Sequence, residues 1–183
     1  MAVRSGMTSL VSHLRQHSNA STSDVFNGVT YWTDDQLQDV LDQYAMIGQT
    51  IPLVRISAYD KTNYKLNLTM PYWLESGFKI YVRDTTVEET TGFTYNPLTH
   101  QIVFDSDIAE TRDLVAHATV YVMTDAIASV WEQKAQHREN FITNKAGSNR
   151  FQAEQIVEHC KMQACYWRNL RVRSFKRRSS RFA

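Results

Sequence analysis

Six histidines and two cysteines are the residues of this 183-residue chain with the widest chemical repertoire. His13 and His17 would lie on one face of a helix, at a spacing that can bind a metal, but no carboxylate or third histidine joins them locally. A solvated helix face is therefore the favoured interpretation. Cys160 and Cys165 would lie on different faces of a helix, which favours buried or half-buried packing residues over a disulfide or a zinc site. We expect no bound metal and no cofactor.

Sequence spacings typical of catalytic sites are absent. The chain has 6 glycines, none grouped into a phosphate-binding loop, and no Gly-x-Ser-x-Gly or His-Glu-x-x-His motif. Asp125 stands inside an otherwise apolar helical stripe, where a carboxylate must be paired or protonated. A structural ion pair with Arg150 or Arg168 is favoured there over catalysis. The sequence predicts that the protein is not an enzyme.

Charge is distributed unevenly along the chain. Residues 168–183 contain 7 of the 20 basic residues and no acidic one, which leaves 13 basic against 19 acidic residues, a net charge of −6, for the rest. Two phenylalanines are interleaved with these charges, and the partner-binding candidates are Arg168, Arg171, Arg173, Phe175, Lys176, Arg177, Arg178, Arg181 and Phe182. Such a segment indicates a negatively charged partner. An acidic protein surface is favoured over nucleic acid, because arginine's planar fork suits interfaces.

Helical periodicity dominates both ends of the chain. Apolar residues at i, i+3, i+4 and i+7 from Met7 predict a short amphipathic helix. Thr33 and Gln36 form a capping-box pattern that predicts a helix over about 34–46. Two further stripes predict a long helix over roughly 114–142 and another over about 150–170.

Alternation replaces this period between residues 51 and 105. β-branched and aromatic residues there predict short strands at 53–59, 64–69, 78–83, 91–95 and 101–104. The sequence thus predicts an α+β protein: a helical bundle of about four helices, an inserted small antiparallel β-region over about 50–106, and an extended C-terminal tail. We expect a single domain over 1–170 and a basic tail over 171–183.

Three stretches resemble the head–tail adaptor (connector, or head-completion) family of tailed bacteriophages. They are the helix opening at Tyr31–Leu41, the hairpin Phe93–Asp105, and Tyr121–Ala135, which is similar to the family's long-helix motif. The glycine that the family has between the hairpin strands is missing, with His100 or Gln101 near its place.

The resemblance implies a structural virion protein that forms a ring, commonly a dodecamer, between portal and tail and continues the DNA channel. The implied partners are other copies of the chain, the portal protein, and a tail-terminator or other neck or tail protein. The expected location is the virion neck, with host cytoplasm during assembly and no membrane. Side-to-side contacts would use exposed aromatic residues such as Tyr72, Trp73 and Phe78, and the basic tail would reach the portal.

Other functions remain open at this stage. A nucleic-acid-binding module would use the basic tail and bind with steep salt dependence. A tail-terminator or tail-completion protein would also build a small ring. A small hydrolase would need a deep pocket with a paired acid and base.

Overall fold

The structure is a computed structural model that describes residues 3–22, 25–26, 29–68, 72–83, 92–108, 113–142 and 148–179. The chain folds into two compact units. One combines Met1–Tyr44 with Val122–Ala183, and the other is Ala45–Tyr121.

The first unit is helical. A 3-10 turn at Ser5–Met7 leads into helix α1 (Thr8–Ser18), and a two-stranded hairpin, β1 (Val25–Phe26) and β2 (Val29–Thr30), precedes α2 (Asp34–Gln43). Helices α3 (Met123–Ile142) and α4 (Ser148–Ser179) complete the unit. Helix α3 packs against the other three helices, and its first two turns are buried on every side. It is therefore the central helix of this unit.

The start of α2 shows how locally the sequence specifies a helix end. The Gln36 amide donates to Thr33 Oγ1 at 3.3 Å, and the Thr33 amide donates to Gln36 Oε1 at 2.9 Å. This reciprocal pair confirms the predicted capping box. It satisfies two backbone donors that would otherwise lack partners at the N-terminus.

Lys134 of α3 holds the end of α1. Its ammonium donates to the carbonyl of Ser18 at 3.0 Å and to that of Asn19. The ammonium also lies 4.9 Å from the ring centre of Trp131 and 5.8 Å from that of Trp32. A cation at a helix C-terminus is favourable, and the two indoles add cation–π attraction.

The second unit is a curled antiparallel sheet. Its strands are β3 (Ala45–Arg55), β4 (Asn63–Leu66), β5 (Tyr72–Leu74), β6 (Lys79–Val82), β7 (Phe93–Asn96), β8 (Gln101–Phe104) and β9 (Leu114–Val122). They follow the order β5-β9-β3-β4-β8-β7, and β6 also pairs with β9. The core of the sheet contains Tyr64, Leu66, Ile80, Ile102 and Ala116.

This sheet contradicts the predicted fold class, because it is a large part of the fold and not a small insertion in a helical bundle. Residues 114–122, predicted as the start of the long helix, form β9 instead. The strand is buried at seven of its nine positions, so both of its faces are apolar and the alternation that reveals a strand is lost. The predicted extended tail is also wrong, because α4 continues to Ser179.

His100 occupies the place where a glycine was expected between β7 and β8. Its backbone has φ +54°, the left-handed region that favours glycine. The side chain is 5% exposed, and its Nδ1 lies 2.9 Å from the Tyr95 hydroxyl, while the indole of Trp73 makes an edge contact with the imidazole. Buried packing and a hydrogen bond thus offset the cost of an unfavourable backbone conformation.

Replacing His100 separates these two effects. We expect His100→Ala to lower the free energy of unfolding by about 2–3 kcal/mol, through lost packing and an unpaired phenol. His100→Gly should lose about 1 kcal/mol less, because glycine adopts positive φ without strain. Chemical denaturation measures both. Thr99 provides the control, since its φ is not positive and there Thr99→Gly should be less stable than Thr99→Ala. Equal stability of the two His100 variants would contradict the assignment of backbone strain.

Candidate assembly surfaces

The described part of the basic C-terminal segment begins with an ion pair inside the helical unit. Arg168 of α4 donates from Nε and Nη2 to the two carboxylate oxygens of Glu132 at 2.8 and 2.7 Å. Hydrogen bonding to Glu132 raises the pKa of the guanidinium above its usual value. Arg168 therefore joins α4 to α3, although sequence placed it with the partner-binding residues and as a candidate partner of Asp125.

The other predicted contact residues of this segment lie beyond the described side chains. Residues 171–179 belong to the end of α4, while Arg181 and Phe182 lie outside the described residues. Their role in binding a partner stays a prediction. Asp125 itself is buried in the first turn of α3, where the partial positive charge of the helix terminus stabilises a carboxylate.

The aromatic residues chosen as ring-interface candidates belong to the core of the sheet unit. Trp73 is 6% exposed and Phe78 is also buried, while Tyr72 is half-buried against the same core. The expectation that they are exposed is wrong for Trp73 and Phe78. Alternation shows which residues share a face of a strand, but not which face the rest of the chain covers.

Other apolar side chains of the sheet unit are exposed instead. Tyr59 is 98% exposed, Ile47 81% and Leu98 76%. Val54 and Val103 lie on one face, because Val54 pairs with Lys65 and the next outward position of β4, Asn63, pairs with Val103. The sheet unit thus presents several large apolar side chains to solvent.

Tyr59 stands on a turn with a dense network of hydrogen bonds. Asp60 accepts from the Thr62 amide and hydroxyl, both at 2.9 Å, and from the amide and side chain of Asn63. These hydrogen bonds, that of the Thr62 amide foremost, lower the pKa of Asp60 to about 2. The backbone amide of Ile108 also donates to the Lys61 carbonyl. The sequence pattern predicts a break between strands at 53–59 and 64–69, but it does not reveal that Tyr59 is exposed.

A cleft of about 370 Å³ lies at another place in the sheet unit, between the β5–β6 turn and β9. We call it the β9 cleft. Phe78 and Ala118 contribute apolar surface, and Tyr81 and His117 form an aromatic wall with their ring centres 4.7 Å apart. The lining also includes Glu75, Lys79 and Thr119.

Glu75 is held in place at the β9 cleft. Its Oε2 accepts a hydrogen bond of 2.8 Å from the Tyr121 hydroxyl, and its backbone amide donates to the Thr119 carbonyl at 3.2 Å. Gly48 and Gly77 line the same cleft. Their φ angles are +68° and +86°, so the backbone at both positions favours glycine. The cleft thus combines apolar surface with a fixed carboxylate and polar neighbours.

Among the residues that the structure describes, no group of three or more His, Cys, Asp or Glu side chains could hold a metal ion. His13 and His17 pack against each other with ring centres 4.2 Å apart, and the edge of Trp167 contacts His17. Both cysteines are free thiols; Cys160 is buried as expected, but Cys165 is exposed. None of the described helices has the length and apolar character needed to cross a membrane.

Comparison of the chain with protein-family models, with curated proteins and with solved structures finds no match.

The histidine pair makes stability depend on pH. Burial, and next the nearby His17, lower the pKa of His13 from 6.5 to about 4. The unfolded chain therefore binds a proton at a higher pH than the folded chain, and stability falls as pH decreases from about 6.5 to 4. We expect His13 to contribute about 1 kcal/mol of this loss, given its half-exposed position.

Denaturation curves measured between pH 7 and 4 test this contribution. His13→Gln should show a flatter dependence of unfolding free energy on pH than the original chain. Ser12→Ala, an exposed change on the same helix, should leave the slope unchanged. If His13→Gln retains the full slope, the pH dependence originates elsewhere.

Proposed function

We propose that this chain is a structural subunit of a phage neck, a ring-forming adaptor that joins the portal to the tail and continues the DNA channel. In this role it has no enzymatic activity. Its partners are further copies of itself, the portal protein, and a tail-terminator or other neck protein.

The observation that carries this proposal is the exposed apolar surface of the sheet unit. Contiguous exposed apolar patches mark interaction sites, and Val54 and Val103, 54% and 39% exposed, lie on one face of the sheet unit. Ile47, Tyr59 and Leu98 all belong to turns or to irregular parts of strands, where a side chain can insert into a neighbour. Self-association through one of these side chains would bury that side chain and stabilise the assembly by the hydrophobic effect.

The resemblance to adaptor proteins is most specific in the segment 121–135. The segment 121–135 forms the end of β9 and the first three turns of α3, and Tyr121, Ala126, Ile127 and Val130 within it are fully buried. Residues of this kind determine how the fold packs. The resemblance thus lies largely in core positions, and the adaptor function is proposed from it, although Tyr121 and Val122 lie in β9 and not in the long helix that the resemblance implies.

The charge distribution supports a partner at the C-terminal end. Glu132 pairs with Arg168 within the helical unit, whereas the following six basic residues extend along and beyond the last turns of α4. A basic helix end on an otherwise acidic chain suits an acidic partner surface, and we propose that the portal provides it.

Mixing the purified chain with its cognate portal tests the proposal. We expect a complex with the mass of a ring bound to the portal, measured by light scattering, and a ring in electron micrographs. Removal of residues 171–183 should weaken this complex at least about tenfold, because each lost charge at an interface reduces association. The helical unit should keep its melting temperature.

A charge-neutral variant provides the matched control. Glutamine at the five basic positions Arg171, Arg173, Lys176, Arg177 and Arg178 keeps the length of the helix and removes the positive charge of its last turns. Weakening by this variant and by the truncation alike would assign the effect to charge. The chain could instead fail to bind the portal and bind DNA with an affinity that falls steeply with salt concentration. That result would contradict the adaptor proposal and indicate a nucleic-acid-binding module. Rings that bind tail-tube protein and not the portal would indicate a tail terminator.

A further inference from the structure

We propose that Tyr59 of one copy inserts into the β9 cleft of the next copy, and that this contact joins neighbouring subunits head to tail. The inference rests on the proposed self-assembly and names the residues that would achieve it. Both partners of the contact belong to the sheet unit, so a single unit contains the inserting side chain and the site that receives it.

Tyr59 is exposed on an ordered turn. An aromatic side chain that is 98% exposed contributes almost no hydrophobic stabilisation to the fold of its own chain. The turn that carries it is nevertheless fixed by Asp60, Thr62 and Asn63, and by backbone hydrogen bonds to residues 104 and 108. Binding through a side chain on an ordered turn costs little conformational entropy. Tyrosine is also among the residues that contribute most energy to interfaces.

The two sites lie at different places along strand β3. Gly48, near the start of the strand, lines the cleft, whereas the turn with Tyr59 follows the end of the strand at Arg55. At about 3.3 Å per residue, the seven steps from Gly48 to Arg55 span on the order of 20 Å. The inserting residue and its receptor are therefore different surfaces. Contacts of this heterologous kind produce rings or filaments and not closed dimers.

The β9 cleft is larger than an aromatic ring. A closed cavity of roughly 150 Å³ holds one benzene ring, and the β9 cleft, which is open to solvent, has a volume of about 370 Å³. The paired rings of Tyr81 and His117 form one wall, where an incoming ring can stack or make an edge contact. Phe78 and Ala118 offer apolar surface below it.

The β9 cleft also contains hydrogen-bonding groups. A phenol hydroxyl both donates and accepts, and Glu75, Lys79 and Thr119 line the cleft. The Glu75 carboxylate, which accepts from the Tyr121 hydroxyl, has lone pairs for a further donor. Leu98, also highly exposed, has no side-chain group that could make a hydrogen bond to them. Ile47 is adjacent to Gly48, which lines the cleft. If Ile47 were the inserting residue, each copy would use the same surface to insert and to receive, and such an isologous contact closes as a dimer.

Sedimentation velocity over a range of concentrations tests the inference on the full chain. Tyr59→Ser should raise the dissociation constant between copies at least about 30-fold, as expected for an interface residue of this kind. Because Tyr59 is exposed, its removal should leave the melting temperature unchanged. Leu98→Ser is the matched control, a change on another exposed turn of the same unit, and it should keep the original association.

A mixing experiment distinguishes head-to-tail contact from any other arrangement. Ser76→Trp places an indole at the rim of the cleft, and His117→Trp fills it from β9 if the first variant folds poorly. Each cleft-filled variant should be monomeric alone, as should Tyr59→Ser. An equimolar mixture of Tyr59→Ser with a cleft-filled variant should form a one-to-one dimer and nothing larger, because only one intact tyrosine and one intact cleft can meet.

The outcomes separate this inference from the proposed function. Rings that persist in Tyr59→Ser would overturn the tyrosine contact and leave the adaptor proposal intact. A mixture that remains monomeric, or that assembles beyond dimers, would also overturn the contact. So would an original chain that stays monomeric up to about millimolar concentration, and the adaptor proposal would then depend on the portal experiment alone.

Discussion

The antiparallel pairing of β3 with β9 is the constraint on which the sheet unit depends. It brings Ala45 opposite Tyr121 and Pro52 opposite Val115, so the first and last residues of the unit become neighbours. Closing so long a segment costs chain entropy, which the burial of β9 on both faces offsets. All other strands attach to this pair. β4, β8 and β7 follow in order from the far end of β3, while β5 and β6 occupy the free side of β9.

The same pairing positions both surfaces that we assign to assembly. The register of β3 with β9 shifts between Met46 and Gln49, and β5 and β6 are separate strands opposite this part of β9. Gly48, which lies within this irregularity, lines the β9 cleft. Beyond the paired region, β3 continues to Arg55, whose guanidinium donates to the Tyr64 hydroxyl and the Ile108 carbonyl. The turn with Tyr59 is thereby attached to the core. One strand thus connects an inserting side chain to a receiving site.

The helical unit depends on polar contacts at helix ends as well as on its apolar core. The capping box starts α2, Lys134 binds the terminal carbonyls of α1, and Arg168 joins α4 to α3 through Glu132. Exposed ion pairs contribute little stability, so the pair of Arg168 chiefly orients α4. Six further basic residues follow Arg168 in the sequence, and these are the residues that we propose bind the portal.

The elements that were predicted correctly from the sequence are those formed by local interactions. The capping box of α2, the apolar stripe of α1 and the hairpins β3–β4 and β7–β8 involve residues close in the chain, and all are present in the structure. The strand β9, the burial of Trp73 and the β9 cleft were not predicted from the sequence, because each depends on residues that are far apart along the chain. A strand buried on both faces has no alternation, and only the pairing of distant strands decides which side chains are covered and which, like Tyr59, remain exposed.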